Sequence, residues 1–317
     1  MKKVISPGTA KKTLTLIDNV VYSHVKDLKG NPLELKMSLM LQNGNSELRL
    51  ATGADDPKED HSPKPVLVWI PGGGYRGTDK NLMLGEMSEF ANAGYVVASI
   101  YYRSSAQGHF PTQIIDVKTA IRFLRANAKK YEVDVDHIGV FGRSAGGHLA
   151  AFTAMNLDGF DSSEWAGYSS KVQACCDMFG PVDFVASIEL EEKRLADPNF
   201  HWKMSDPTIQ WHGLEETHEG ALLGGDPATM KERGKAANAV SFVNERMCPI
   251  QIFHGDNDPL VPVENSESLY NRMVEASMED KIEFYILKGA GHGSREFFQD
   301  SVKKLMIDFF DRYLKKA

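Results

Sequence analysis

Short runs of β-branched and aromatic residues alternate with longer amphipathic stretches from about residue 64 to the end of the chain. The stretches carry apolar residues at i, i+3 and i+4 spacing, so the alternation predicts parallel strands joined by crossover helices. We therefore expect an α/β fold with a mostly parallel, twisted sheet and helices on both faces. The predicted strands are 66–70, 95–101, 137–141, 172–178, 250–254 and 282–287, and the predicted helices are 84–93, 113–128, 145–155, 263–276 and 295–314.

Two regions depart from this alternation. Residues 14–52 predict antiparallel strands, because Gly30-Asn31-Pro32 and Asn43-Gly44 are turn signals, and the polar stretch 53–65 predicts an exposed loop. Residues 184–240 carry scattered aromatic residues and no strand pattern. An insertion of this size at the functional edge of a sheet is usually a lid or a specificity element, the alternative being a surface excursion without a role. We predict a single domain over 14–317, with 184–240 as an inserted cap.

The composition narrows the classes of partner. The chain has 317 residues and a formal net charge of −7, which repels the phosphates of nucleic acids and of anionic membranes, so we expect neither as a partner. The three cysteines, two of them adjacent at 175 and 176, do not suggest a disulfide framework. The sequence contains no apolar run of signal-peptide or membrane-span length, which predicts a cytoplasmic protein. A homo-oligomer is compatible with the sequence, which leaves the oligomeric state open.

The most informative motif is Gly142-Arg143-Ser144-Ala145-Gly146, which matches G-x-S-x-G. It lies between a predicted strand and a predicted helix, and this context is typical of a nucleophile elbow. Bulky side chains two residues on either side of the serine would collide in so tight a turn, so glycine is needed at 142 and 146. The motif predicts that Ser144 is a catalytic nucleophile.

A serine hydroxyl needs a base to remove its proton and an acid to orient that base. His292 lies between two glycines on the loop after the last predicted strand, and we predict that it is the base. Asp256 and Asp258 both follow the preceding strand and compete for the role of the acid; we favour Asp258, because Asp256 lies closer to the sheet and could tie the turn instead. We expect structural roles for His254 and His148.

Acyl transfer also needs hydrogen-bond donors for the developing oxyanion. The glycine run Gly72-Gly73-Gly74 follows a predicted strand and can bring backbone N–H groups to a ligand, and the N–H of Ala145 lies at a helix start. The same run satisfies G-x-G-x-x-G, but the next strand ends in Ser99-Ile100-Tyr101-Tyr102 and offers no carboxylate for a ribose. Metal and phosphate motifs are missing, so we predict no cofactor and no metal.

Taken together, these segments resemble the serine esterases of the α/β-hydrolase superfamily, and more narrowly the bifunctional feruloyl and acetyl xylan esterase-like group, which is related to the hormone-sensitive-lipase-like esterases. The resemblance covers about residues 20–315. It is carried by Gly72-Gly73-Gly74-Tyr75, Tyr102-Arg103, Phe110-Pro111 with Asp116, Gly142-Arg143-Ser144-Ala145-Gly146-Gly147-His148-Leu149-Ala150, Gly180-Pro181-Val182-Asp183, Leu222-Leu223-Gly224-Gly225, His254-Gly255-Asp256-Asn257-Asp258 and Gly291-His292-Gly293.

The resemblance implies a carboxylesterase that acts through an acyl-enzyme on small acyl or aryl esters, with acetyl and feruloyl or other hydroxycinnamoyl esters as candidates. It implies Ser144, Asp258 and His292 as the triad, and the N–H groups of Gly73, Gly74 and Ala145 as the oxyanion hole. Pro71 stands where lipase-like members have His, which leaves open which glycine donates.

A small-molecule ester is therefore the expected partner. We expect the pocket to be lined by the aromatic residues near these motifs and in the insertion, namely Tyr75, Tyr102, Phe110, Trp202 and Trp211. Two other functions remain open, an amidase or peptidase with the same triad and a non-catalytic ligand receptor of the same fold.

Overall fold

Eight strands form one sheet in the computed structural model, which describes residues 1–6, 13–43, 62–77, 79–200 and 211–315. The strands are β1 (Thr13–Lys26), β2 (Pro32–Asn43), β3 (Lys64–Ile70), β4 (Val96–Ile100), β5 (Val133–Arg143), β6 (Ala174–Met178), β7 (Ile250–Gly255) and β8 (Ile282–Leu287). They lie in the order β1-β2-β4-β3-β5-β6-β7-β8. The pairs from β4 to β8 are parallel, whereas β1 pairs with β2 and β2 with β4 antiparallel, which confirms the predicted architecture.

Helices connect the parallel strands, close to the predicted positions. Those in the described residues are α1 (Leu84–Asn92), α2 (Thr112–Ala126), α3 (Ala128–Tyr131), α4 (Ala145–Ala154), α5 (Phe184–Ala196), α6 (His218–Leu223), α7 (Lys231–Ala237), α8 (Glu264–Glu275) and α9 (Asp300–Leu314). The predicted helix 295–314 is divided, because extended backbone at Gln299 separates a short 3₁₀ helix, Arg295–Phe298, from α9. Among the described helices, none combines the length and the apolar character needed to cross a bilayer.

The sheet is buried on both faces, as expected when helices cover both sides of parallel strands. On one face Trp69 and Phe141 pack among residues of α1 and α9, and on the other Val68 and Val140 pack against α2 and α4. Alternate residues of β3 and β5 therefore belong to two cores. This fixes the two central strands, and with them the segments that follow their carboxyl ends.

The N-terminal region agrees with its prediction where it is described. The turn before Pro32 places Gly30 at a φ of 84°, a left-handed conformation that glycine adopts readily. Gly44 and residues 53–61 lie outside the described residues, and β3 begins at Lys64, inside the stretch predicted as a loop.

Residues 184–240 follow the carboxyl end of β6. Where they are described, they form α5, α6, α7 and two 3₁₀ helices, Leu214–Glu216 and Ala239–Phe242, and contain no strand. Residues 201–210, which include Trp202, lie outside the described residues.

Candidate active site

Ser144 occupies a tight turn between β5 and α4. Its backbone has φ 53° and ψ −125°, an unusual conformation for a residue with a side chain. A Cβ atom added at Gly142 would lie 2.3 Å from the carbonyl oxygen of Gly146, and one added at Gly146 would lie 2.0 Å from that of Ile70. Both glycines are therefore required sterically, and the turn presents Ser144 at the carboxyl edge of the sheet.

Two loops that follow β7 and β8 bring a carboxylate and an imidazole to this serine. His292 Nε2 lies 2.9 Å from Ser144 Oγ, and its Nδ1 lies 2.7 Å from Asp258 Oδ2. A carboxylate can only accept, so Nδ1 carries the proton and Nε2 is left to accept the hydroxyl proton of Ser144. The structure thus brings together the three side chains that the sequence selected, in an arrangement suited to proton transfer.

The environment of Asp258 keeps it ionised. Burial raises the pKa of this carboxyl, but the neighbouring imidazole of His254, 3.6 Å away, the hydrogen bonds from His292 and from the amide of Val261, and the charge of His292 outweigh burial and hold the pKa below its usual range. The amides of Leu260 and Val261 donate to Oδ1 at 2.9 and 3.0 Å. A buried, ionised carboxylate can hold the imidazole in one tautomer and stabilise its cation.

The competing carboxylate, Asp256, has a different position. Its side chain is exposed, and Oδ1 accepts a hydrogen bond from the amide of Gly289 at 2.5 Å. Asp256 therefore joins the loops after β7 and β8, whereas Asp258 is the carboxylate bonded to His292.

The glycine loop after β3 passes directly alongside the serine. A Cβ atom added at Gly72 would lie 3.2 Å from Cβ of Ser144. Gly73 and Gly74 adopt φ values of 133° and 57°, which a side chain would disfavour. The hydroxyl of Tyr102 donates to the carbonyl of Pro71 at 2.8 Å and supports the loop where lipase-like proteins have histidine.

The amide groups expected to bind an oxyanion are available. In the part of the chain that the structure describes, the N–H groups of Gly73, Gly74 and Ala145 donate to no loop, turn or side-chain acceptor. Ala145 is the first residue of α4, where the helix dipole favours negative charge. These groups can donate to an anion without first breaking one of those hydrogen bonds.

Three aromatic residues expected in the pocket are instead buried in the protein, and the prediction is corrected for them. Tyr75 is 1% exposed and its hydroxyl lies 2.8 Å from Nδ1 of His148, while Tyr102 is fully buried. Phe110 is 3% exposed and packs on Phe152. Their side chains support the loops around the serine and offer almost no surface to a substrate. Sequence position placed them near the site but could not show which way they point.

The remaining expected pocket residue, Trp211, is buried against a histidine that sequence analysis did not select. The ring centroids of Trp211 and His218 are 4.9 Å apart. His218 begins α6 and packs on Gly74 so closely that a Cβ atom at Gly74 would lie 2.3 Å from its Nδ1. Burial, with the charges of Arg76 and His292, lowers the pKa of His218 to about 4, so the ring is neutral. No motif marks His218, because its role depends on where residues 184–240 return to the site.

Residues 184–240 are tied to both sides of the site. The guanidinium of Arg76, just after the glycine loop, donates to the carbonyls of Glu216 and Thr217. On the opposite side, the guanidinium of Arg194 in α5 donates to the carbonyls of Pro259 and Leu260, at 2.8 and 3.1 Å, next to Asp258. The segment therefore contacts the glycine loop and the loop of the acid.

As for metal ions, the described ranges contain no group of three or more His, Cys, Asp or Glu side chains that could hold one. The three cysteines are free and buried. The expectation that no cofactor is needed stays a prediction.

Comparisons with known proteins find esterases among the relatives of this chain. The model of the BD-FAE family matches residues 55–273. Esterase LipC from Mycobacterium tuberculosis is 29% identical over 234 residues, covering 73% of this chain and 53% of LipC. Esterase LipQ from the same organism is 30% identical over 223 residues, covering 68% of this chain and 46% of LipQ. The chain thus spans about half the length of the curated relatives it matches.

Among solved structures, a truncated carbohydrate esterase from gut microbiota superposes with a TM-score of 0.73 at 28% identity. The match covers 98% of this chain and 99% of that one. The eight-stranded sheet and this likeness identify the fold as that of the α/β-hydrolases.

Proposed function

The chain belongs to the BD-FAE family, and on that premise we propose that it is a serine carboxylic ester hydrolase. The observation that carries the proposal is the hydrogen-bonded series Ser144–His292–Asp258 beside the backbone N–H groups of Gly73, Gly74 and Ala145. The names of the relatives LipC and LipQ, both esterases, support it.

In the proposed mechanism, Ser144 Oγ attacks the ester carbonyl as His292 Nε2 takes its proton. The oxyanion is stabilised by the N–H of Ala145 and by N–H groups of the glycine loop, Gly73 or Gly74. His292 then returns the proton to the departing alcohol, and Asp258 stabilises the imidazolium in both halves of the reaction. Water, activated by the same imidazole, hydrolyses the acyl-enzyme and restores Ser144.

The substrates we propose are small acyl or aryl esters, with acetyl and feruloyl esters as the first candidates. The family match and the likeness to a carbohydrate esterase support this choice. We also propose that residues 184–240 act as a cap over the site. Two contacts support that role. Arg76 donates to a carbonyl of this segment, and Arg194 of the segment donates to the carbonyl of Pro259, so the segment is held on two sides of Ser144.

The proposed function is tested with Ser144→Ala. We expect the wild type to turn over 4-nitrophenyl acetate or methyl ferulate and to be labelled by a fluorophosphonate, and the variant to lose both properties with an unchanged melting temperature. The matched control is Ser301→Ala at an exposed position of α9, which should retain both. Labelling or turnover that persists without the Ser144 hydroxyl would refute the assignment of the nucleophile.

A further inference from the structure

Among the arginines that the structure describes, Arg143, the residue before the proposed nucleophile, is the one whose side chain forms no hydrogen bond, ion pair or ring contact. Its side chain is only partly exposed, and burial lowers the pKa of its guanidinium. The guanidinium nitrogens remain accessible to water, so the cation is only partly desolvated and is free to bind an anionic ligand.

Other partly buried or buried arginines of the chain show the usual solution. Arg103 is paired with the carboxylate of Asp116, and Arg194 with that of Glu191. Arg125 donates to three main-chain carbonyls, those of Val135, Ser169 and Lys171. In each of these three arginines the guanidinium is thus paired with acceptors of the protein. Arg143 differs from them in both respects, since it has neither a carboxylate nor a carbonyl.

The position of Arg143 is next to the reacting atoms. Its Cγ would lie 3.3 Å from a Cβ atom added at Gly72, and Cβ of Ser144 would lie 3.2 Å from the same point. The side chain of Arg143 therefore begins beside the glycine loop, next to the Cβ atom of Ser144. Arg76, beyond the same loop, is bonded to main-chain carbonyls and to no carboxylate in the described ranges.

We propose that Arg143 binds an anionic group of the substrate, a carboxylate carried by the ester close to the scissile bond. The planar fork of a guanidinium matches a carboxylate with two parallel hydrogen bonds, and such a bond is strongest where water is partly excluded. The inference rests on the proposed esterase function and narrows its substrate class to acidic esters. It also explains a local positive charge at the site of a chain whose net charge is −7.

The test compares matched ester pairs in the wild type, Arg143→Gln and Arg143→Lys. The first pair, 4-acetoxybenzoate and 4-acetoxybenzamide, differs in charge on the alcohol side, and the second, 4-nitrophenyl hemiadipate and 4-nitrophenyl hexanoate, differs on the acyl side. Because the same pair is compared across variants, its intrinsic reactivity cancels. The control is Arg246→Gln, an exposed arginine paired with Asp158.

For at least one pair, we expect the ratio of kcat/KM, acidic over neutral, to fall at least tenfold in Arg143→Gln, chiefly through KM. Arg143→Lys should retain part of the ratio because it keeps the charge, and Arg246→Gln should retain all of it. Unchanged ratios for both pairs would overturn the proposal, and so would equal losses on acidic and neutral esters, which would indicate a structural role for Arg143.

A binding measurement separates this inference from the proposed function. Calorimetric titration of both acidic esters into Ser144→Ala, and into the same protein with Arg143→Gln added, does not depend on turnover. Binding that is lost with Arg143 supports the anion site, even if the wild type hydrolyses nothing and the esterase proposal fails. Binding that is absent from Ser144→Ala, or insensitive to Arg143, overturns the inference even if the esterase proposal holds.

Discussion

Three of the histidines around Ser144, namely His148, His254 and His292, differ in the groups that surround their ring nitrogens. In His148, Nδ1 faces the hydroxyl of Tyr75 and Nε2 the carbonyl of Ala237, and burial lowers its pKa to about 4. In His254, Nδ1 faces the hydroxyl of Ser266 and Nε2 the carbonyl of Val261. Both rings are buried and committed to protein partners, as expected for structural residues. His292 is partly exposed and bonds Ser144, so it can exchange a proton with a substrate.

At the scale of the residue, replacing Asp258 tests whether it is the carboxylate that supports His292 in catalysis. In Asp258→Asn the side chain becomes neutral and no longer stabilises the imidazolium or enforces the tautomer, so we expect kcat to fall by roughly 10³–10⁴-fold. Asp256→Asn keeps an oxygen for the amide of Gly289, and its kcat should stay close to that of the wild type. Steady-state kinetics with 4-nitrophenyl acetate measures both, with melting temperatures to confirm folding. Equal losses in the two variants would contradict the choice of Asp258.

At the scale of the element, the elbow depends on backbones that approach too closely for side chains. Gly146, in the first turn of α4, lies against the end of β3, and Gly142, near the end of β5, lies against Gly146 of α4. The same approach brings the glycine loop beside Ser144. The strand–turn–helix unit therefore fixes the distance between nucleophile and oxyanion donors before any substrate binds, which is the preorganisation that catalysis needs.

Gly146→Ala is the element-scale prediction. Its new Cβ would lie 2.0 Å from the carbonyl oxygen of Ile70, so the strand or the helix must shift, and we expect a loss of about 3 kcal/mol or more in the free energy of unfolding. The matched control is Gly85→Ala in α1, where a Cβ atom meets nothing within 4 Å. That change should stabilise the protein by about 0.5–1 kcal/mol through helix propensity. Urea denaturation compares the two, and similar stabilities would show that the elbow can relax.

At the scale of the whole molecule, the fold withdraws two acidic groups from water, one on the sheet and one on a helix. Asp177 lies on β6 with no exposure; its Oδ1 accepts from the amide of Gly180 at 3.0 Å, and its Oδ2 has no partner in the described residues. Burial raises the pKa of Asp177 to about 7, because its effect is larger than those of the His254 charge and of the hydrogen bond from Gly180, which both lower the pKa. Burial and the charge of Glu191 likewise raise the pKa of Glu219, in α6, to about 7. Folding therefore favours the protonated form of both carboxyls.

The raised pKa of Asp177 makes the stability of the protein depend on pH. The folded pKa of Asp177 lies above its ordinary value of 3.8, so its stabilising contribution is complete below about pH 4 and is lost as the pH rises through 7. Asp177→Asn removes this titration. We therefore expect the free energy of unfolding of the variant, relative to that of the wild type, to increase by about 1–3 kcal/mol from pH 5 to pH 8. Urea denaturation at the two pH values measures this change. Asp136→Asn, at an exposed position, serves as the control. Parallel pH profiles for wild type and Asp177→Asn would contradict a buried, protonated Asp177.

Several features could be predicted because they depend on neighbours along the chain. The alternation of short apolar runs and amphipathic stretches places β3 to β8 and their helices within a few residues of the observed bounds, apart from β5, which begins at Val133, and the break before α9. The carboxyl ends of parallel strands share one edge, so the order of Ser144, Asp258 and His292 along the chain already implied that they meet.

The sequence by itself therefore determined the α/β architecture, the elbow and the three side chains at the sheet edge, since periodicity and turn sterics act over a few residues. Only the tertiary structure decided which side chains are buried and which lack a partner. Tyr75 reaches His148 across 73 positions, which removes it from the pocket. His218 arrives at Gly74 from a separate segment, and Arg143 is unusual only because no described group pairs with its guanidinium. Such facts depend on contacts between distant parts of the chain, which no local pattern records.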